Sequence, residues 1–110
     1  MQVCHNGGMN DLDVQKLANL FKALGEFNRL SLVYELCGCK TPQNTMCLCQ
    51  CCSVDASVVS RHLKVLTQEQ IVTFNKKGRE KTYTLNRTYL ANQLRELADT
   101  IERQPDLETS

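Results

Sequence analysis

Two short stretches of extended character, Ile71 to Asn75 and Glu80 to Leu85, flank Lys76-Lys77-Gly78-Arg79. A glycine placed between two such stretches is a hairpin signal, because glycine enters the left-handed turn conformations without steric cost. The rest of the chain reads as helix. One hairpin set among helices leaves few arrangements open, and the order of the helices narrows them further.

From Asp11, Leu17, Leu20, Phe21 and Leu24 recur at helical spacing, and Gly25 is a stop. A second helix is expected from Phe27 to Leu36, with Leu30, Val33 and Leu36 on one stripe, followed by a loop from Cys39 to Thr45 bracketed by Gly38 and Pro42. A short third helix is expected over Met46 to Cys52. Asp55 is a good N-cap for a fourth, Ala56 to Gln68. Val59, Leu63 and Leu66 give this fourth helix an apolar face and leave Ser57, Ser60, Arg61 and Lys64 to point outward. After the hairpin, a last helix runs from Thr88 to Arg103 before Pro105, and its Leu90, Leu94, Leu97 and Ile101 step by four, three and four as a packing seam does. Helices, two helices at a turn, a hairpin and a closing helix form the order of a winged helix-turn-helix. The expected fold is therefore mainly α with a small β-hairpin. Residues 1–10 read as a flexible arm, 11–103 as the domain, and 104–110 as an acidic tail.

A chain of 110 residues suits one domain with a modest core. No run of ~18 apolar residues suggests a membrane span, and no charged segment followed by an apolar one suggests a signal peptide, so a cytosolic protein is expected. The formal net charge of +1 conceals an asymmetry. Between Ala56 and Arg87 lie seven basic residues (Arg61, Lys64, Lys76, Lys77, Arg79, Lys81, Arg87) against Glu69 and Glu80, a net +5 that leaves −4 for the remainder. One basic face on an acidic body fits a polyanionic partner. The fourth helix would enter the major groove of DNA with Ser57, Ser60 and Arg61 at base edges. Lys64 would lie on the same face, and Lys76, Lys77, Arg79 and Lys81 on the hairpin would reach phosphates. His62, inside this helix, is read as a DNA contact or a helix-packing residue.

Four of the seven cysteines fall within six residues, Cys47-Leu48-Cys49-Gln50-Cys51-Cys52, just upstream of the fourth helix. In a reducing compartment they stay thiols. Thiolates are soft ligands that favour arsenite, antimonite, cadmium, lead, mercury and copper(I) over magnesium or calcium. Cys39 could add a fourth ligand and Cys4 with His5 could cap the site, whereas Cys37 reads as a core or boundary residue. At ~100° per residue Cys47 and Cys51 pair on one side of a regular helix and Cys49 and Cys52 on another, with Cys47 and Cys49 ~160° apart. Gathering thiols from both sides on one atom therefore requires the start of this helix to unwind.

Leu20-Phe21-Lys22-Ala23-Leu24 followed by Asn28-Arg29-Leu30 resembles the opening of the ArsR/SmtB metal-responsive repressors. Val59-Ser60-Arg61-His62-Leu63-Lys64-Val65-Leu66 is similar to that family's recognition helix, and Gly78-Arg79 through Tyr83-Thr84-Leu85-Asn86 to its wing. The resemblance runs from Leu17 to Ile101. It implies a homodimer built on the first and last helices, sitting on operator DNA and leaving it when a metal binds. The family's arsenite-sensing members carry Cys-x-Cys-x-x-Cys at the start of the third helix, a spacing met here by Cys47, Cys49 and Cys52, with Cys51 an extra thiol. Two departures stand out. The segment between Cys52 and Ser60 is about three residues shorter than the family pattern. Asp99 and Glu102 on the last helix have no histidine beside them, which argues against a zinc site there.

The leading expectation is a repressor induced by arsenite or antimonite. A sensor of cadmium, lead, mercury or copper(I) and a thiol redox sensor are the competing ones. A thiol metallochaperone leaves the basic face unexplained. An enzyme is not expected, since no catalytic set or phosphate-binding glycine loop is present.

Overall fold

The computed structural model describes residues 11–50 and 55–105. Cys51 and Cys52, as well as Cys4 and His5 of the expected arm, lie outside the described residues. Among the described residues five helices and three strands follow in the order α1 (Asp11–Leu24), α2 (Phe27–Cys37), β1 (Gln43–Asn44), α3 (Thr45–Cys49), α4 (Ala56–Gln68), β2 (Val72–Lys77), β3 (Glu80–Leu85) and α5 (Arg87–Glu102). The fold is a winged helix-turn-helix. α3 and α4 form the helix pair, and β2 and β3 the wing.

One core joins these elements. Leu20, Leu32, Leu36, Leu48, Val59, Leu63, Leu66, Ile71 and Val72 are all but sealed from solvent. α2 differs from expectation in its buried stripe. Leu32, Val33 and Leu36 face the core, while Leu30 points outward with Phe27 and Tyr34.

The wing forms as its turn chemistry dictates. β2 and β3 pair antiparallel with Lys77 opposite Glu80, which leaves Gly78 and Arg79 as a two-residue loop. Gly78 has φ +64° and Arg79 does not enter the left-handed region, the pattern of a type II′ turn with glycine first. β2 is displaced from the expected Ile71–Asn75 and continues to Lys77. β1 was not expected at all. Gln43 and Asn44, placed in a loop by their sequence, pair with Tyr83 and Thr82 and complete a sheet of order β1-β3-β2.

α4 spans the expected residues. Asp55 holds the N-cap position with extended backbone (φ −68°, ψ 157°), but its side chain makes no capping hydrogen bond. Its carbonyl accepts from the Val58 and Val59 amides instead. The far end closes in a Schellman motif: Ile71 N–H donates to Leu66 O (2.9 Å) and Gln70 N–H to Thr67 O (3.0 Å), with Gln70 at φ +63°. Ile71 and Leu66, both buried, provide the apolar contact that accompanies this motif.

α5 is tied to its neighbours at its first turn. Asn86 donates its backbone N–H to Ile71 O and its side-chain Nδ2 to Gln70 O (2.9 Å each). Arg87 Nη2 donates towards three carbonyl oxygens at the end of α2, those of Leu36 (3.1 Å), Cys37 (3.0 Å) and Cys39 (3.0 Å). The guanidinium thus satisfies helix-end carbonyls and complements their partial negative charge. Arg87 had counted only as one charge of the basic segment; the structure uses it as a clasp. No helix among the described residues is long and apolar enough to cross a membrane.

Candidate nucleic-acid interface and thiol site

A groove of about 800 Å³ separates α4 from the wing. Ser60, Arg61 and Lys64 enter it from α4, Lys76, Arg79 and Lys81 from the wing, and Thr45 from the first turn of α3. The apolar stripe of Val59, Leu63 and Leu66 anchors α4 and turns Ser57, Ser60, Arg61 and Lys64 to solvent. Successive strand residues alternate between sheet faces. Phe74 and Lys76 therefore share the groove face with their cross-strand partners Tyr83 and Lys81.

That alternation separates two lysines the sequence had grouped. Lys76 lines the groove opposite Lys81, whereas Lys77 lies on the other face of the hairpin opposite Glu80. Like charges directly across a ladder cost stability, so the Lys76–Lys81 pair concentrates positive potential where it is locally unfavourable. The Lys81 ammonium sits 4.3 Å from the centre of the Phe74 ring, and Phe74 in turn lies 6.2 Å from Tyr83, centre to centre. The cation–π contact holds the charge over the groove. Burial pushes the pKa of the Tyr83 hydroxyl above its ordinary value, because loss of solvent disfavours the phenolate. Phe74 was missed in the sequence. Its place two residues before Lys76 was the available signal, since period two puts both on one face.

His62 is on a different side of α4 from Arg61. It is half-buried against the start of α2, with Nδ1 3.4 Å from Arg29 Nη1 and Nε2 3.8 Å from Glu26 Oε1. Arg29 also donates Nε to Ala23 O, and Glu26 accepts from the Arg29 backbone N–H at 2.9 Å. This cluster locks α2 to α4, the helix-packing alternative for His62.

The thiols are disposed as helical geometry requires. α3 is only five residues long and ends at Cys49, with Gln50 as its C-cap, shorter than the expected Met46 to Cys52. Cys47 is exposed, while Cys49 is partly buried against the core. They face different surroundings, and among the described residues no group of three metal-ligating side chains is assembled. Thiol chemistry still fits a soft metal or metalloid, with the remaining candidates, Cys51 and Cys52, outside the described residues. Cys39 is remote in the chain, its Sγ donating to Glu35 O at 3.2 Å, and Cys37 is exposed at the end of α2 rather than in the core.

Besides the β1–β3 backbone pairing, one side chain links the start of α3 to the wing. Asn44 is the N-cap of α3, its Oδ1 accepting from Cys47 N–H at 2.9 Å. Its Nδ2 donates to Glu80 Oε2 of the wing at 3.1 Å.

No family model matches the chain. The arsenical resistance operon repressor of Bacillus subtilis (strain 168) is 34% identical over 76 residues, 66% of this chain and 69% of that protein. The chain belongs to the ArsR/SmtB family of transcriptional regulators. A transcriptional repressor SmtB homolog from Synechocystis sp. (strain ATCC 27184 / PCC 6803 / Kazusa) is 30% identical over 91 residues. That match covers 80% of this chain but 65% of the relative, so the chain spans just under two thirds of that protein's length. An ArsR-like transcriptional regulator from Rhodococcus sp. RHA1 superposes with a TM-score of 0.68 at 26% identity, covering 79% of this chain and 80% of that one. These relatives are transcriptional regulators.

Proposed function

We propose that this ArsR/SmtB-family chain is a repressor that holds operator DNA as a homodimer and releases it when arsenite or antimonite is bound by cysteine thiolates. The observation that carries the reading is the cationic groove between α4 and the wing, with the thiol helix α3 packed at its edge. Ser60 and Arg61 in the groove and Ser57, exposed one turn before Arg61, are the base-edge candidates on α4, and Lys64, Lys76, Arg79 and Lys81 the phosphate contacts. Lys77 is a weaker contact reached only around the tip of the wing. His62 positions α4 through Glu26 and Arg29. The mutual repulsion of Lys76 and Lys81 is relieved when a phosphate lies between them, so binding affinity falls steeply with salt.

Cys47, Cys49 and Cys52 are the proposed ligands, with Cys51 a further thiol. A trivalent metalloid takes three thiolates. Because Cys47 and Cys49 face apart, their convergence rotates the first turn of α3 and disturbs its packing on α4. Arsenic is favoured as inducer by the similarity to an arsenical resistance operon repressor.

Dimerisation is proposed through α1 and α5. α5 has 16 residues, yet Leu90 alone is buried, while Leu94 and Ile101 are exposed, as is Leu12 of α1. An apolar stripe of this length without cover fits a second copy, and a two-fold dimer reads a near-palindromic operator. Residues 11–103 are proposed to carry both the DNA-binding and sensing functions in the cytoplasm.

Fluorescence anisotropy of the reduced protein on its promoter fragment tests the reading, with arsenite, antimonite, cadmium, lead, mercury, copper(I) and zinc added singly. Release by the trivalent metalloids at the lowest concentrations, lost in Cys49→Ser, is the expected result. Release by a divalent ion or copper(I) instead would move the inducer assignment. Release only by peroxide would make the cluster a redox sensor.

A further inference from the structure

We infer that Asn44 couples the thiol helix to the wing, so that ligand capture by Cys47 loosens the wing as well as α4. The inference rests on the thiol-sensing reading above and names the route by which that site acts. Three observations meet at this residue. Its side-chain oxygen accepts the backbone N–H of Cys47, itself a proposed ligand. Its side-chain nitrogen donates to Glu80, the first residue of β3. Its backbone lies in β1, in register with Thr82 of the same strand. One amide thus spans from a ligating residue to a wing strand that carries Lys81 next to Glu80 and Arg79 just before it.

The physical case is one of exclusive alternatives. An N-cap oxygen satisfies an amide that the first turn of a helix otherwise leaves without a partner. If Cys47 turns to share an atom with Cys49, its N–H leaves the position that Asn44 Oδ1 faces. The amide plane of Asn44 is then held from one side only. Its other bond, to Glu80, loses the orientation that the cap imposes. β2 keeps β3 in register along one edge through six residue pairs, but on the other edge β1 contributes only Gln43 and Asn44, so the Asn44–Glu80 bond is a large share of what restrains that side. The wing, still held together by its own ladder, then loses a restraint on its position relative to α3 and α4, and with it Lys81 and Arg79 are less firmly set opposite Arg61 and Lys64. Asn44 is a positioning residue in this account and touches neither the metalloid nor DNA.

The test compares Glu80→Ala with Glu80→Gln in the full chain. Both remove the same charge from the wing, so their effects on DNA affinity through electrostatics are alike. Only glutamine retains a side-chain acceptor for Asn44 Nδ2. Asn44→Ser is the complementary variant, since serine still caps Cys47 but is too short to reach Glu80. Operator affinity is measured by anisotropy with and without saturating arsenite, and metalloid capture separately by the ultraviolet absorption of arsenic–thiolate bonds. Amide hydrogen exchange over residues 72–85 reports the wing directly. In the wild-type protein arsenite is expected to weaken operator binding by a factor within the usual allosteric range of about 5–150 and to speed exchange in the wing. Glu80→Gln keeps most of that factor. Glu80→Ala and Asn44→Ser bind arsenite as before but lose most of it, and wing exchange no longer responds. Equal release in all four proteins, with capture intact, would overturn the inference and leave the sensing reading standing. No capture or release of any kind in the wild-type protein would overturn both.

Discussion

The two helices of the helix-turn-helix pair are built to different standards. α4 has 13 residues, three side chains with no exposed surface (Val59, Leu63, Leu66) and a Schellman closure onto Ile71. α3 has five residues, one sealed side chain, Leu48, and a single side-chain cap from Asn44. An isolated helix as short as α3 has no stability of its own; packing and capping hold it. On the proposed reading, the contrast separates a reader, which must present Arg61 and Lys64 in constant geometry, from a sensor, which a ligand must be able to rearrange. Segments that move on binding come from the low-stability end of a structure, and here the five-residue helix carries Cys47 and Cys49, two of the proposed ligands.

The strongest challenge to this contrast is removal of the one side chain that anchors the sensor. Leu48→Ala deletes a fully buried leucine and is expected to cost about 2–5 kcal/mol of folding stability, read by chemical denaturation. The comparison adds a sharper expectation. Amide exchange in the variant should rise first in residues 45–49, while residues 59–66 retain protection. Uniform loss of protection across both helices would show that they unfold as one unit.

A second challenge tests the reader's division of charges. Arg61→Ala is expected to weaken operator binding about 5–150-fold, the loss of about 1–3 kcal/mol typical of a base-edge arginine. Lys81→Ala should weaken binding to all sequences alike and reduce its salt dependence by about one ion. Lys77→Ala should do less than Lys81→Ala, because its strand position turns it to the far face of the wing. Anisotropy titrations at several salt concentrations separate the three. An equal loss for Lys77 and Lys81 would mean that the DNA path wraps both faces of the hairpin.

The reader was more legible in the sequence than the sensor, and for the same physical reason. Val59, Leu63 and Leu66 at helical spacing behind Asp55 mark α4 without ambiguity, and Gly78 between two extended stretches marks the wing. These are local signals. β1 has none: two polar residues, Gln43 and Asn44, become a strand because the edge of β3 lies open beside them, and no periodicity announces it. Missing β1 also hid the double role of Asn44. The faces of single residues fell between these cases. Lys77 and Phe74 could have been sorted by counting in twos along the strand. Arg87 could not, since its three carbonyl partners lie some fifty residues earlier, at the end of α2. Leu30 was assigned to the core by spacing from Val33, yet Leu32 took that place once α2 packed on α4.

The smallest expected effect sits at the reader's C-terminal end. Gln70 occupies the left-handed position of the Schellman motif at φ +63°, where a side chain costs roughly 1–2 kcal/mol. Glycine relieves that strain but gives back about 0.5–1 kcal/mol through the greater freedom of the unfolded chain. Gln70→Gly should therefore stabilise the fold by up to about 1.5 kcal/mol, seen as a modest rise in the denaturation midpoint. The Gln70 carbonyl that Asn86 holds is a backbone group and survives the change. Because the substitution acts at the end of α4 remote from the thiols, operator affinity and arsenite-driven release should both stay at wild-type values. If release changes while affinity does not, the end of α4 and its tie to α5 belong to the switch, and the division between a fixed reader and a movable sensor fails at that joint.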